Sequence, residues 1–331
     1  MVSFFFFIAL ATAVTATATA TATATGLAPV TATAAVTAAG SSASVTTSAP
    51  IEVQASEELA AACTKALSAF PVNGDAAALP YICKNVQQRK NCSSVKGAPI
   101  FHFDKTSVRP KGQKILVFSL IHGDEDGAGS VGRMWMERLI KIDSRNSWRI
   151  IPVLNPDGVA AKTRTNANAI DINRNFPTRD WDQLAKKYWK IHGDNSPRRN
   201  PGETAGSEPE TQCALSHIEE YNPDFIVSVH TPLNVLDFDG PKVPAPKFEY
   251  LPWKSLGHFP GSLGRYMWFE RSVPVLTAEL KPRLPKNLET LNNLQDIVGQ
   301  LAMFELPKKA ALNLGSTSVS ESEKVSNNIE D

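Results

Sequence analysis

Residues 114–125 have the sequence KILVFSLIHGDE, which changes from an almost continuously apolar run to a polar one at residue 122. The apolar part, residues 114–121, contains several β-branched residues. It predicts a strand that is covered on both faces, as in a parallel or mixed α/β sheet. The next stretch, residues 128–142, has apolar residues at helical spacing and predicts a helix with one apolar face. A buried strand followed by such a helix is typical of α/β domains.

The same alternation of strands and helices continues along the chain. Further strands are predicted at residues 148–154, 225–229 and 273–279, and helices at residues 56–67 and 76–88, from residue 207 onwards, and at residues 288–304. The turn signal NPDG, residues 155–158, ends one of these strands. Strands that alternate with helices indicate a three-layer α/β domain.

Length and composition fit one sizeable α/β domain with appendages rather than two full domains. The chain has 331 residues, of which 42% are hydrophobic and 20% charged, as is usual for globular proteins. The predicted organisation is a signal peptide (residues 1–24), an Ala/Thr/Ser-rich disordered linker (25–50), a small cysteine-containing helical segment (51–98), the main domain (99–306) and a disordered tail (307–331).

The N-terminal segment favours export of the protein. Residues 4–10 form an apolar run that is too short to span a bilayer as a helix but long enough for the core of a signal peptide. No Lys or Arg precedes the run, so the usual positive region is missing, and a mis-assigned start is the alternative. We expect a periplasmic or secreted protein with no stable membrane span in its mature form.

The charge balance argues against a polyanionic partner. Lys and Arg total 34, and Asp and Glu total 33, which gives a formal net charge of +1. We therefore do not expect the protein to bind nucleic acid. Any specificity for a charged substrate must come from local residues. The sequence does not indicate an oligomeric state.

The four cysteines bear on the redox compartment. Cys63, Cys83 and Cys92 lie in the segment before the main domain, whereas Cys213 lies within it. In an oxidising compartment, two of the first three could form one bridge. The alternative is that all are reduced and buried. No Cys-x-x-Cys pair occurs, so a cysteine zinc site is not expected.

Four residues that can bind a metal or a proton stand at the ends of predicted strands. His122 and Glu125 come directly after the strand at residues 114–121, while His230 and Glu279 stand at the ends of two later strands. Ligands bind outside the carboxyl ends of strands in open α/β sheets, so we expect these side chains at one edge. A catalytic zinc takes about three protein ligands and leaves one position for water.

The His-x-x-Glu spacing is weak evidence by itself, because a surface histidine and a glutamate at a helix N-terminus give the same pattern. The sequence DINRNFP, residues 171–177, is more specific. It resembles the Asp-Leu-Asn-Arg-Asn-Phe motif of the zinc carboxypeptidase family, whose best-known member is carboxypeptidase A. The NPDG turn and an arginine ahead of the motif, Arg164, also match that family. The resemblance extends from about residue 115 to residue 281 and keeps the order of the motifs.

This resemblance implies a three-layer α/β fold with a mixed, largely parallel central sheet. It also implies one zinc ion per chain, held by His122, Glu125 and His230. Glu279 would be the general base and Arg164 would stabilise the oxyanion of the tetrahedral intermediate.

The terminal carboxylate of the substrate would be bound by Arg174, with a hydrogen bond from Asn173. The alternative for Arg174 is a surface charge on a polar loop. For Glu279 it is a carboxylate on an edge strand.

Shorter fragments resemble one branch of the family, the peptidases that split peptidoglycan stem peptides. The matching fragments are HGDE (122–125), GSEPETQ (206–212), HTPL (230–233), PGS (260–262) and TAE (277–279). This likeness implies hydrolysis of the γ-D-glutamyl–meso-diaminopimelate bond, with peptidoglycan-derived peptides as partners. His258 and Ser262 are further candidates for substrate binding.

Two features depart from carboxypeptidase A. Asp124 stands where that enzyme has an arginine. The tyrosine that carboxypeptidases carry on a mobile loop before the catalytic glutamate has no clear counterpart, and residues 256–259 (LGHF) occupy roughly that place. The residue that caps the active site is therefore left open.

Three other functions are compatible with parts of the pattern. A D,L-carboxypeptidase acting on cell-wall peptides would use the same scaffold. An acylamino-acid deacylase like aspartoacylase and succinylglutamate desuccinylase would share the metal ligands but usually carries an extra C-terminal β domain, whereas only about fifty residues follow Glu279. A non-catalytic cell-wall binding module would have lost the ligands or the base, and metal content and turnover would distinguish it.

Overall fold

Strands and helices alternate along the computed structural model, which describes residues 55–70, 77–242, 244–281, 284–285 and 288–304. These residues belong to one compact unit, Glu52–Asp331. The signal peptide, linker and tail predicted at residues 1–24, 25–50 and 307–331 lie outside the described residues. Within the described ranges, no helix has the length and apolar character needed to cross a membrane.

The helices are α1 (Glu57–Ser68), α2 (Ala78–Lys84), α3 (Asp126–Leu139), α4 (Pro156–Ala161), α5 (Trp181–His192), α6 (Pro209–Tyr221), α7 (Leu263–Arg265) and α8 (Leu288–Met303). The strands are β1 (Val86–Ser93), β2 (Pro99–Lys105), β3 (Lys114–Ser119), β4 (Ser147–Ile151), β5 (Phe225–His230), β6 (Val235–Asp239) and β7 (Val275–Glu279). Two 3₁₀ helices, Ile172–Arg174 and Pro197–Arg199, lie between α4 and α6, and a π-helical turn, Tyr266–Glu270, continues α7.

The strands form one mixed sheet in the order β1-β2-β4-β3-β5-β7-β6. The central strands β4, β3, β5 and β7 pair in parallel, whereas β1, β2 and β6 pair antiparallel with their neighbours. The predicted mixed α/β sheet is therefore confirmed. The carboxyl ends of β3, β5 and β7 lie side by side, because Ser119 is opposite Val229 and His230 is opposite Glu279.

Helices cover both faces of the sheet. In β3, Ile115 and Val117 belong to one buried cluster, and Leu116 and Phe118 belong to another, as the continuous apolar run predicts. The first cluster contains residues of α1, α2, α3 and α8, and the second contains residues of α6 and α7. Each fully buried side chain of this kind stabilises the fold by about 1.5–3 kcal/mol relative to an exposed one.

The N-terminal segment contributes to the main sheet, which corrects the prediction of a separate helical segment at residues 51–98. Helix α2 ends at Lys84, and the chain then forms the edge strand β1 rather than a longer helix. The residue pattern does not predict this strand, because only Val86 and Cys92 of β1 are buried and the residues between them are polar. The boundary predicted at residue 99 separates two paired strands, β1 and β2.

Strand β6 is also absent from the sequence-based prediction. Its residues Asp237 and Asp239 are only 6% and 5% exposed, so carboxylates occupy positions where a buried strand normally has apolar side chains. Burial, together with the charge of Asp239, raises the pKa of Asp237 to about 6.

Two disulfide bonds connect the four cysteines. Cys63–Cys83 joins α1 to α2, with Cα atoms 5.5 Å apart, and confirms the expected bridge within the N-terminal group. Cys92–Cys213 joins β1 to α6 across 121 residues, with Cα atoms 4.8 Å apart. The sequence does not indicate the pairing of Cys92 with Cys213, because only the fold brings these two residues together. A bridge over so long a loop restricts the unfolded chain.

A buried pair of histidines lies between β2 and α6. His102 is 3% exposed and His217 is 0% exposed, and their ring centroids are 4.8 Å apart. Burial lowers the pKa of His102 to about 4, although Asp104 opposes the shift. Burial and the neighbouring His102 lower the pKa of His217 to about 2. Both rings are therefore neutral at neutral pH.

We predict that the buried pair of histidines destabilises the fold as the pH falls from about 6.5 towards 4. An unfolded histidine has a pKa near 6.5. Below that pH the unfolded chain binds protons that the buried rings do not, so the free energy of unfolding decreases as pH falls. In urea denaturation, His217→Leu should reduce the slope of the free energy of unfolding against pH by up to about 1.4 kcal/mol per pH unit. The matched substitution of the exposed His192 to Leu should keep the wild-type slope, and equal slopes for all three proteins would contradict the prediction.

Candidate active site

The three predicted metal ligands come together at the carboxyl end of the sheet. His122 follows β3, Glu125 directly precedes α3, and His230 is the last residue of β5. The Nδ1 atoms of His122 and His230 lie 2.8 and 2.9 Å from the two oxygens of Glu125, and 3.1 Å from each other. All three side chains are buried.

Close backbone contacts fix the loop that follows β3. A Cβ atom on Gly123 would lie 2.0 Å from the backbone of Gly158, so only glycine fits where the loop passes the NPDG turn. The Asn155 side chain accepts a hydrogen bond from the Gly158 N–H at 2.9 Å and donates to the carbonyl of Ile121 at 3.3 Å. It also donates to the carbonyl of Arg164 at 3.3 Å, so one asparagine ties two segments of the site together.

Each histidine has a second partner at its Nε2 atom. His122 Nε2 lies 3.3 Å from Asp171 Oδ1, and His230 Nε2 lies 2.7 Å from Ser228 Oγ. Metal-binding histidines usually have such a partner, because it fixes the tautomer and the orientation of the ring. These contacts leave both Nδ1 atoms available as ligands.

The arrangement fits a catalytic zinc ion. Two nitrogen ligands about 2.0–2.1 Å from a tetrahedral ion are about 3.4 Å apart, close to the 3.1 Å between the two Nδ1 atoms. The ligand atoms of His122, Glu125 and His230 all lie within 4.8 Å of one another. Two imidazoles and one carboxylate form a known catalytic zinc set with an open fourth position. A second close group, Cys92, Cys213 and His217, is not comparable, because its two sulfur atoms form a disulfide.

Opposite charges stabilise the candidate ligand group, which consists of His122, Glu125 and His230. Burial would raise the pKa of Glu125, but the two imidazoles keep that pKa far below its usual range. Burial would likewise raise the pKa of Asp171, and Arg164 followed by His122 hold it far below normal. Burial and Arg164 act to lower the pKa of His122, but the carboxylates of Glu125 and Asp171 outweigh them and raise it.

Arg164 lies beside the ligand group, where the resemblance places it. Its Nε donates to Asp171 Oδ2 at 3.0 Å, and its Nη1 lies 3.6 Å from Glu125 Oε1. A guanidinium has five N–H donors, so these two contacts leave donors for another group. The side chain is half-buried, which strengthens its hydrogen bonds relative to those in water.

Glu279 ends β7 and is paired in register with His230 of β5. Side chains directly opposite each other on neighbouring strands share a face of the sheet. Glu279 therefore lies on the same face as the ligand group. Its Oε2 accepts a hydrogen bond from the backbone N–H of Leu233 at 3.3 Å, and the side chain is half-buried.

The 3₁₀ helix Ile172–Arg174 holds the two residues that the resemblance assigns to the substrate carboxylate. The amide oxygen of Asn173 accepts the backbone N–H of Leu263 at 2.9 Å. Arg174 Nη1 donates to the carbonyl of Asn173 at 2.7 Å. The Arg174 guanidinium also lies over the ring of Phe259, with Cζ 4.6 Å from the ring centroid.

His258 and Ser262 have structural partners instead of contacts with the ligand group. Ser262 is buried, and its hydroxyl caps α7 by accepting the N–H of Arg265 at 3.3 Å. His258 Nδ1 lies 2.8 Å from Asp239 Oδ1. Their predicted contact with substrate stays a prediction.

Three residues that contact the candidate site residues were not among those predicted from the sequence: Asp171, Ser228 and Phe259. Asp171 stands inside the DINRNFP motif, and a carboxylate behind a metal-bound histidine is a known pattern that could have identified it. Ser228 precedes His230 by two residues, and alternate residues of a strand share a face, so this spacing was a usable signal. No sequence signal predicts that the Phe259 ring meets Arg174.

The fold and the ligand group together define a metal-dependent hydrolase. The family model described as zinc carboxypeptidase matches residues 91–238. Murein peptide amidase A of Vibrio campbellii is 31% identical over 208 residues, which cover 57% of this chain and 77% of that protein. The protein of the same name from Escherichia coli is 30% identical over 201 residues, which cover 57% of this chain and 79% of that protein. The chain belongs to the zinc carboxypeptidase family and is a metallopeptidase.

A solved structure confirms the fold. Carboxypeptidase A from Helicoverpa armigera is similar with a TM-score of 0.53, covering 74% of this chain and 78% of that one at 16% identity. Zinc is the metal that the family implies. The predictions of a hydrolase and of a carboxypeptidase-like α/β fold are therefore confirmed.

We predict that Asp171→Asn weakens zinc binding by about ten- to a hundredfold, because an amide orients and polarises the His122 ring less well than a carboxylate. Zinc affinity is measured by competition with a chromophoric chelator. Asp126→Asn is the matched control, since Asp126 is exposed, pairs with Lys162 and adjoins Glu125. Equal zinc affinities for the wild type and Asp171→Asn would show that the carboxylate does not support the metal.

Proposed function

We propose that this metallopeptidase is an exported enzyme that binds one zinc ion per chain and hydrolyses the γ-D-glutamyl–meso-diaminopimelate bond of peptidoglycan stem peptides. Two relatives that it largely covers are named murein peptide amidase A. The observation that carries the proposal is that Arg174 is a half-buried cation with no carboxylate at ion-pair distance among the residues that the structure describes.

Seven arginines among the described residues are buried or half-buried. Six of them pair with a carboxylate: Arg89, Arg133, Arg138, Arg149, Arg164 and Arg265. Within the described ranges, Arg174 alone of the seven has no carboxylate at ion-pair distance. Burial lowers the pKa of Arg174 to about 10, with Asp171 opposing the shift, so the group is charged at neutral pH. A substrate carboxylate would supply the missing partner, because the guanidinium fork matches its geometry.

The proposed peptide offers a carboxylate in the required place. In L-Ala-γ-D-Glu-meso-diaminopimelate, the nitrogen of the γ-glutamyl bond belongs to diaminopimelate, whose carboxylate is attached to the adjacent carbon. Asn173 is oriented to assist, because its amide oxygen is occupied by the Leu263 N–H and its amide N–H groups are left as donors.

His122, Glu125 and His230 would hold the zinc, which when bound supplies Lewis acidity and makes water a better nucleophile at neutral pH. Glu279 takes a proton from the attacking water and returns it to the leaving nitrogen. Arg164 donates hydrogen bonds to the oxygen that becomes negative in the tetrahedral intermediate. The outer carboxylate Asp171 keeps the Arg164 guanidinium in place throughout.

The two disulfides support export. They use all four cysteines of the chain, and such bonds persist in oxidising compartments but are rare in the cytosol. An exported enzyme would meet cell-wall peptides in the same compartment.

We predict that the zinc-loaded enzyme releases free meso-diaminopimelate from L-Ala-γ-D-Glu-meso-diaminopimelate. Glu279→Gln should bind the tripeptide but cleave it about a thousandfold more slowly, because the water loses its base. Mass spectrometry of timed digests measures the rate, and Glu249→Gln, an exposed glutamate paired with Lys247, should retain wild-type turnover.

A tetrapeptide that ends in D-Ala separates the amidase from the carboxypeptidase alternative. Its terminal carboxylate lies one residue further from the γ-glutamyl bond, so it should be a poorer substrate at that bond. Release of D-Ala from the tetrapeptide, with no diaminopimelate from the tripeptide, would instead identify a carboxypeptidase that removes the terminal D-Ala.

We predict that Arg174→Lys raises KM for the tripeptide about tenfold or more, with a smaller effect on kcat, because an ammonium cannot form the bidentate contact of a guanidinium. Steady-state kinetics test this. The exposed Arg179, changed to Lys in the same way, should leave KM unaltered. An unchanged KM for Arg174→Lys would move the carboxylate pocket elsewhere.

A further inference from the structure

The segment from His258 to Arg265 is attached to the Arg174 segment at several points. The carbonyl of Gly261 accepts the N–H of Phe176 at 2.9 Å, and its own N–H donates to the hydroxyl of Thr178 at 3.1 Å. Gly261 has a φ of +79°, and a Cβ atom there would lie 1.9 Å from the carbonyl oxygen of Arg174, so only glycine allows this approach. The two segments are therefore fixed relative to each other at the backbone.

Phe259 is held on both sides within this segment. Before it, His258 pairs with the buried Asp239, and the His258 carbonyl accepts a hydrogen bond from Arg265 at 3.0 Å. The Phe259 carbonyl accepts the N–H of Ser262 at 3.0 Å. The ring of Tyr188, from α5, packs edge-on against the Phe259 ring with centroids 5.7 Å apart.

The fixed ring lies against the Arg174 guanidinium, which has no carboxylate partner in the described part of the chain. Arg174 Cζ is 4.6 Å from the Phe259 centroid. The face of an aromatic ring attracts a cation but carries no net charge. A carboxylate in the same place would neutralise Arg174 and compete with a substrate for its donors, whereas a ring stabilises the cation and leaves those donors free.

We propose that Phe259 is a positioning residue for substrate binding, whose ring holds the Arg174 guanidinium ready for the substrate carboxylate. This inference rests on the proposed role of Arg174 and extends it to the aromatic ring against its guanidinium. Phe259 acts through Arg174 and need not touch the reacting atoms. Its loss should weaken binding of the carboxylate and spare the chemical step.

The test compares Phe259→Leu, which keeps an apolar side chain but removes the ring, with Phe259→Tyr, which keeps the ring. In zinc-loaded enzyme, Phe259→Leu should raise KM for the tripeptide about tenfold with kcat within about twofold of the wild type. Phe259→Tyr should restore KM to within about twofold of the wild type. Phe248→Leu removes another half-buried aromatic ring, one that packs against Tyr250, and should leave KM unchanged.

A second measurement does not depend on the substrate. In protein labelled with ¹⁵N-arginine, the Arg174 side-chain resonance is assigned by its loss in Arg174→Lys. Its ring-current shift should disappear in Phe259→Leu and persist in Phe259→Tyr.

The proposal is overturned if Phe259→Leu leaves both KM and the Arg174 resonance unchanged. It is also overturned if kcat and thermal stability fall together, KM stays constant and Phe259→Tyr restores nothing, because that result describes a purely structural residue. If the wild type does not cleave the tripeptide, the proposed function fails, and the resonance alone decides whether Phe259 positions Arg174.

Discussion

The carboxylate of Asp171 accepts hydrogen bonds from three parts of the site. His122 and the N–H of Asn173 share one oxygen, at 3.3 and 2.9 Å, and Arg164 binds the other at 3.0 Å. Asp171 is 0% exposed, so water does not compensate for any contact that is lost. Breaking a buried ion pair by removing one partner typically costs about 3–5 kcal/mol. One carboxylate thus contacts the proposed zinc ligand His122 and the proposed oxyanion residue Arg164, and it caps the 3₁₀ helix that ends in Arg174.

The register of the parallel sheet positions the other half of the site. Because His230 and Glu279 are opposite each other, the proposed third ligand and the proposed base are positioned by the same backbone hydrogen bonds that hold β5 to β7. Ser228 shares a face with His230 because alternate residues of a strand point the same way, and its hydroxyl binds the ring of that histidine. A shift of one residue in this register would turn the side chains of the shifted strand to the opposite face and so separate His230 from Glu279.

The sequence predicts those parts of the molecule that depend on local patterns. The apolar run before His122 predicts the buried strand β3, which is confirmed, and the DINRNFP motif indicates the candidate ligands and the two candidate arginines. Strand β1 is not predicted because it is a polar edge strand. Strand β6 is not predicted because Asp237 and Asp239 occupy two of its buried positions. The partner of Cys92 and the partner of the Phe259 ring depend on packing between distant segments, which residue spacing does not encode.

Arg164 and Arg174 differ in their contacts and in the direction of their pKa shifts, and these differences suit them to different proposed roles. Arg164 is paired with the carboxylates of Asp171 and Glu125, which hold it in a fixed place next to the ligand group and raise its pKa. Among the described residues, Arg174 contacts a carbonyl and an aromatic ring, and burial lowers its pKa. Leaving a half-buried cation without a counter-ion costs stability. That cost is accepted at functional sites, because an arginine already paired within the chain would bind a substrate carboxylate only by giving up its partner.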